Sequence, residues 1–245
     1  MQPALVKEYI LKLPFIPEII EVATENNVNV YVVGGFLRDM IIFYRSKNEI
    51  DFAVEGNAIV FVETLSKKLG SSVDGVVQYP RFQTARILLK YNDDAWELNF
   101  ATTRKESYPP DSRKPEVTPA TITEDLHRRD FTINAIAMPL VPPTPLIIDP
   151  FNGIGDILKG IIRTPADPLN TFSEDPLRIL RAFRFVSQLS FKLDESAFTA
   201  ILKTKDRLKI VSMERIADEI NKILLTEKPS KAFLLMEKTS ILTMY

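Results

Sequence analysis

Residues 31–56, YVVGGFLRDMIIFYRSKNEIDFAVEG, decide how the rest of the chain is read. Residues 30–33 are apolar and β-branched, as a buried strand should be. The pair Gly34-Gly35 ends that strand. Without a Cβ, glycine lets backbone N–H groups come close to a ligand. Residues 36–44 then have helical content, with Arg38 and Asp39 in the first turn, where phosphate docks well. In the second strand, Glu49 and Asp51 stand two apart and so share a face. Two neighbouring carboxylates on an exposed strand face repel each other. A cation between them relieves the repulsion, and Mg²⁺ with all-oxygen ligands is the natural candidate. Singly, a glycine pair is a turn and an acid-x-acid pair is a solvated strand face. In order within one short βαβ-like unit, they point to phosphate and metal handling.

The wider composition restricts the reading. The chain has 245 residues, of which 45% are hydrophobic and 26% charged. That is an ordinary globular balance, with length for one large domain or two small ones. A net charge of −1 neither requires nor excludes nucleic acid, because binding depends on local patches. There is no cysteine and one histidine, His127. Disulfides, thiolate zinc sites and cysteine nucleophiles are therefore excluded, and a histidine-based metal site is disfavoured. No apolar run reaches membrane-spanning length, and MQPALVKEYILKLP lacks a signal peptide's continuous apolar core. A cytoplasmic protein with no membrane partner is expected.

Working outward, residues 1–27 predict helices that pack beneath a sheet. Residues 57–69 predict an amphipathic helix with Asn57 near its start and Gly70 as its stop. Residues 73–77, 84–91 and 96–102 read as strands, with a turn at 92–94. The expectation is a mixed sheet with helices on one side through about residue 140. The proline- and charge-rich run 108–119 predicts a loop near the substrate path or a linker, and 139–145 predicts a second break. Helices are expected at 176–189, 195–203, 212–225 and 230–242. On a strand beside the Glu49 strand, Glu97 is a candidate third carboxylate, completing a metal site or polarising an attacking hydroxyl. The plain alternative is a salt bridge to Arg104 or another cation.

Four further segments complete the pattern: DLHRRDFTINAIA at 125–137, IDPFNGIGDILKGIIR at 148–163, SEDPLRILRAFRF at 173–185 and Glu214-Arg215. With G-G-x-x-R-D and acid-x-acid upstream, the chain resembles the class II tRNA nucleotidyltransferase and bacterial poly(A) polymerase family, within the DNA polymerase β superfamily. The match R-R-D-F-T-I-N-A at 128–135 is the most specific. The resemblance implies an α+β fold: a polymerase-β-like head at 1–140, a connector at 141–166 and an all-helical neck at 167–245. Family members continue into body and tail domains that grip the tRNA, so residues 1–245 are expected to be a head-and-neck fragment, to bind RNA weakly, or to rely on a partner for that grip.

By the same resemblance, the activity is template-independent addition of CMP and/or AMP to the 3′ end of tRNA, releasing pyrophosphate. The partners are an RNA 3′ end and ATP and/or CTP. Glu49 and Asp51 would hold two Mg²⁺ ions, with Mn²⁺ as a substitute. Gly34, Gly35 and Arg38 would cradle the triphosphate, and Arg129 and Asp130 would hold the ribose. Asp175 and Arg178, one helical turn apart, would match the base edge, the plain alternative being a surface ion pair. Arg181 and Arg184 would continue a basic stripe toward triphosphate or RNA. Asp149, Gly153, Asp156, Gly160, Arg163 and Glu214-Arg215 would be structural. The run VEGNA at 54–58 resembles A-adding members, whereas EDPLR is equally at home in CCA-adding ones. Poly(A) polymerase and a catalytically weakened RNA-binding remnant remain as alternatives. Two departures stand out. Glu49 replaces the family's usual aspartate, which implies lowered activity or a shift toward Mn²⁺, and Phe82-Gln83-Thr84 replaces phenylalanine-glycine-threonine.

Overall fold

Two helices lead into the sheet, α1 (Pro3–Leu11) and α2 (Ile16–Glu25), each with a proline in its first turn, where a missing N–H leaves no bond unmade. A computed structural model describes residues 2–44, 47–91, 94–107, 116–141 and 146–244. Next come β1 (Asn29–Val33), α3 (Gly35–Phe43), β2 (Glu49–Glu55), α4 (Ala58–Leu69), β3 (Val73–Tyr79), β4 (Thr84–Tyr91) and β5 (Asp94–Thr102). Asn57 caps α4 by accepting from the Ile59 and Val60 amides, and Gly70 ends it at φ 56°. β6 (Arg104–Ser107) and β7 (Glu116–Pro119) form a two-stranded ribbon. Residues 116–119, expected in a loop, are thus a strand. The rest of that expected loop, 108–115, lies outside the described residues, as do 92–93 of the expected turn and 142–145 of the second break. After α5 (Ile122–His127), β8 (Ala137–Pro139) returns to the main sheet.

That sheet has six strands in the order β3-β4-β5-β2-β1-β8. Only β2 and β5 pair in parallel; the other neighbours are antiparallel. β1 and β2 therefore correct the βαβ-like expectation. They are antiparallel neighbours, with Val33 across from Asp51. The consequence is functional. A parallel crossover would start β2 at the end of the sheet far from the glycine turn. Antiparallel pairing starts it beside that turn, so the carboxylates and Gly34 share one end of the sheet.

Alternation separates the two faces of the sheet. Ile50, Phe52, Val54, Leu98 and Phe100 are buried. Phe52 stacks on Phe100 at 4.7 Å, and Phe61 of α4 meets Phe100 at 5.6 Å. The apolar face is therefore the one under α4. Glu49, Asp51, Glu97 and Asn99 take the opposite face by the same alternation.

The described residues form two compact units. One comprises Met1–Glu106, Val117–Leu126 and Asn134–Pro150; the other comprises Ser107–Glu116, His127–Ile133 and Phe151–Tyr245. The second unit contains α6 (Gly153–Lys159), β9 (Ile161–Ile162), α7 (Pro168–Glu174), α8 (Leu177–Leu189), β10 (Lys192–Leu193), α9 (Glu195–Thr204), α10 (Met213–Leu224) and α11 (Pro229–Lys238). α8 is its axis: Ile179, Leu180, Phe183 and Phe185 are buried, and α10 and α11 pack on it. Residues 127–133 are tied into this unit by Thr132, whose amide donates to the Arg163 carbonyl at 2.8 Å. Its hydroxyl donates to buried Asp156 at 2.7 Å.

Candidate active site

The expected site residues fall into one set per unit. In the sheet unit, β2 and β5 place Glu49 across from Glu97 and Asp51 across from Asn99. Glu49 and Asp51 are exposed. The Asn99 Nδ2 lies 3.4 Å from Glu49 Oε1, 3.3 Å from Asp51 Oδ1 and 3.3 Å from Glu97 Oε1. β4 brings Arg86 across from Asn99. The Arg86 Nε donates to Asn99 Oδ1 at 2.9 Å, and its Nη2 lies 3.0 Å from Glu97 Oε1. A guanidinium only donates, so it fixes the amide oxygen toward itself and the amino group toward the acids.

Glu97 thus has both of its expected features, a place beside the acid pair and a cation. That cation is Arg86. Arg104 Nη1 donates instead to the Phe82 carbonyl at 3.2 Å. Glu49, Asp51 and Glu97 thus share this face with the Arg86 guanidinium. An exposed all-oxygen donor set of this kind suits Mg²⁺. Among the described residues no group of three or more His, Cys, Asp or Glu side chains is gathered closely enough to hold a metal ion. The fit therefore rests on the Glu49–Asp51 pair, with Glu97 and Asn99 beside it.

Gly34 sits at φ 73° and ψ −138° as the N-cap of α3, a conformation that needs glycine. Gly35 opens α3, where an added Cβ would meet Arg38 Nη2 at 3.5 Å, ordinary contact distance. Arg38, expected at the triphosphate, is turned inward and 5% exposed. Its Nε donates to Asp39 Oδ1 at 2.8 Å and its Nη1 to Asn134 Oδ1 at 2.7 Å. It braces the first turn of α3 from within.

The helical unit holds the second set. Asp130 is 8% exposed. It accepts the Phe131 amide at 2.8 Å and Arg181 Nε at 2.9 Å. Arg184 Nε donates to Glu219 Oε2 at 2.8 Å, and Arg181 Nη1 lies 3.8 Å from Glu219 Oε1. Arg184 also lies over the Phe185 ring at 4.3 Å. The Asp130 carboxylate, more than any other group, raises the Arg181 pKa, while burial pushes that of Arg184 down. Arg181 and Arg184 are thus members of a neutralised network, where an open basic stripe was expected. Asp175, between α7 and α8, accepts the Leu177 amide at 3.3 Å, and Arg215 Nη2 lies 3.5 Å from its Oδ2. Arg178 is 9% exposed and donates through Nη2 to the Arg128 carbonyl at 2.8 Å. Arg129 is half-buried.

Three participants were not singled out from sequence: Asn99, Arg86 and Glu219. Asn99 lies two residues after Glu97, so period-two alternation already placed it on the acid face. Glu219 interrupts the apolar stripe of Ile216 and Ile223 on α10, and an acid at a core position signals a buried cation. Arg86 carried no such signal, because its place depends on strand register.

Comparison with known proteins gives a consistent pattern. Residues 30–163 match the family described as the Poly A polymerase head domain. Residues 190–244 match the family described as the probable RNA and SrmB-binding site of polymerase A. The chain is 42% identical over 167 residues to an A-adding tRNA nucleotidyltransferase of Aquifex aeolicus, covering 68% of this chain and 19% of that one. It is 34% identical over 217 residues to a CCA-adding enzyme of Lactobacillus delbrueckii, covering 88% and 51%. Among solved structures it resembles a tRNA nucleotidyltransferase complexed with a primer tRNA and an incoming ATP analogue. The TM-score is 0.78 at 35% identity, covering 91% of this chain and 61% of that one. The chain thus spans 19% of the length of the Aquifex aeolicus relative and about half that of the Lactobacillus CCA-adding enzymes. Among the described residues no helix is long and apolar enough to cross a membrane.

Proposed function

The chain belongs to the class II tRNA nucleotidyltransferase and poly(A) polymerase family, and on that premise we propose that it adds CMP and/or AMP, without a template, to RNA 3′ ends, above all those of tRNA. The observation that carries this reading is the exposed Glu49–Asp51 pair, with Glu97 across from Glu49, at the end of the sheet where the Gly34 turn lies. In the reaction the RNA 3′-oxygen bonds to the α-phosphorus of the nucleotide, and pyrophosphate leaves.

Glu49 and Asp51 would hold Mg²⁺, or Mn²⁺ in its place. The chemistry such a metal would supply is a lowered pKa for the 3′-hydroxyl and neutralisation of charge on the triphosphate and leaving group. Glu97 would accept from the attacking hydroxyl, with Arg86, 3.0 Å away, holding the carboxylate still. Gly34 and Gly35 would offer backbone N–H groups to phosphate oxygens. Arg38 serves them from behind by fixing the first turn of α3. In the helical unit, Asp130 would accept from a ribose hydroxyl, with Arg181 and its own backbone orienting it, and Arg129 would supply donors. Asp175 and Arg178 would match the base edge. The Arg178 bond to the Arg128 carbonyl sets the plane of the guanidinium for that task. A cytoplasmic location, where tRNA and nucleoside triphosphates meet, accords with this role.

The test uses three tRNA transcripts, ending before CCA, after C and after CC. Each receives labelled CTP or ATP with Mg²⁺ or Mn²⁺, beside an Asp51→Ala control. Ordered addition of C, C and A, lost in the control, marks a CCA-adding enzyme. A single A on the CC-ended transcript alone marks an A-adding specialist, and long A tails mark a poly(A) polymerase. RNA binding with no incorporation under either metal would overturn the enzymatic reading in favour of a binding remnant.

A further inference from the structure

The centre of the carboxylate face is occupied by a side chain of the protein itself. One atom, Asn99 Nδ2, lies within 3.3–3.4 Å of an oxygen from each of Glu49, Asp51 and Glu97. A primary amide has two hydrogens, so it cannot fully satisfy three acceptors at once. It carries only partial positive charge, and the distances exceed those of strong charge-assisted bonds. The amino group therefore supplies little positive charge to the three acids it faces. Its orientation is imposed: Arg86 Nε holds the amide oxygen on the far side at 2.9 Å.

We propose that Asn99 is a positioning residue that competes with a divalent cation for the Glu49–Asp51 pair, and that Arg86 sets the strength of that competition. The inference rests on the metal reading given above. Without a cation, the Asn99 amino group draws the three carboxylates together and offsets part of their repulsion. A cation that takes the same oxygens needs them at about 2.0–2.1 Å if it is Mg²⁺. N–H hydrogens directed into that space oppose it. The amide must swing away or turn its oxygen toward the acids, and either movement breaks the Arg86 bond. The face is thereby kept in order while empty, at the expense of metal affinity.

The test measures Mn²⁺ binding to the full chain without nucleotide, by the electron paramagnetic resonance signal of free Mn²⁺, with a thermal melt of each protein. Asn99→Ala removes the donors and adds no charge, so its Mn²⁺ affinity should rise about fivefold. Asn99→Asp keeps an oxygen toward Arg86 and replaces the donors with an acceptor, so its affinity should rise by at least about tenfold. Its metal-free melting point should fall below that of the wild type, and Mn²⁺ should restore it. Wild-type binding should disappear in Asp51→Ala. If the wild type binds Mn²⁺ through Asp51 and Asn99→Ala binds no more tightly, the competition is refuted while the metal reading stands. If Asn99→Asp alone gains affinity, added charge explains it, and the competition is again refuted. If no variant and no wild-type protein binds Mn²⁺, both readings fall.

Discussion

On the sheet, Glu49, Asp51 and Glu97 set three carboxylates against one guanidinium and one amide. In the helical unit, Asp130 and Glu219 meet Arg181 and Arg184, with Lys222 Nζ 3.6 Å from Glu219. In the first cluster Glu49 and Asp51 are exposed, and the contacts to the Asn99 amide are long, at 3.3–3.4 Å. In the second, each acid is buried and paired with arginine, and Lys222 lies at the rim; the Glu219 side chain is only 3% exposed. Water screens the first, so its acids stand side by side at small cost. Burial forbids that in the second, where each charge must have a partner. An exposed acid cluster can accept a cation at small cost, whereas a buried paired one fixes the shape of its own unit.

The largest expected effect separates the two clusters by stability. Glu219→Gln leaves Arg184 and Arg181 without their shared acid, and should cost about 3–5 kcal/mol in urea unfolding. Asp51→Ala should shift the unfolding midpoint far less, because Asp51 is exposed and its pairing is screened by water. If Asp51→Ala cost as much as Glu219→Gln, the sheet cluster would be architecture too, and the contrast would fail.

A second change sharpens the sheet side. Glu49 carries one methylene more than the family's usual aspartate. Glu49→Asp should raise Mg²⁺-supported nucleotide incorporation on the order of tenfold relative to Mn²⁺-supported incorporation, since a displaced ligand is tolerated poorly by the smaller ion. An unchanged ratio would show that β2 already places the longer side chain correctly.

The same contrast explains what the sequence disclosed. Period-two alternation was enough to place Glu49 and Asp51 on one face, and the glycine pair marked the turn beside them. The helical period was enough to find α4, α8, α9 and α10. Direction and register were not legible, because alternation fixes a face and says nothing of which neighbour lies across. β1 and β2 proved antiparallel, and Arg86 came opposite Asn99, through pairings no single strand encodes. Cations misled for a related reason. Arg38, Arg181 and Arg184 read as ligands because their acids or amides lie far away in sequence: Asn134 for Arg38, Asp130 for Arg181 and Glu219 for Arg184. A guanidinium in a motif shows capacity to bind, and only packing shows whether that capacity is already used.

The smallest expected effect concerns Gln83, where the related family carries glycine. Gln83 adopts φ 52° and ψ 43° between β3 and β4, in the left-handed region where a side chain costs roughly 1–2 kcal/mol. Its amide and its side-chain Nε2 both donate to the Pro80 carbonyl, at 3.2 and 3.0 Å, which returns part of that cost. Glycine would remove the strain but lose more freedom on folding, by about 0.4–1 kcal/mol. Gln83→Gly should therefore stabilise the chain by only about 0.5 kcal/mol in urea unfolding. Because Arg86 lies three residues further along β4, the variant also asks whether the turn and the carboxylate face are coupled. Unchanged Mn²⁺ affinity beside the small gain in stability would show that the strain stays in the turn. Altered affinity would show that the turn helps to place Arg86, and through it the amide at the centre of the acids.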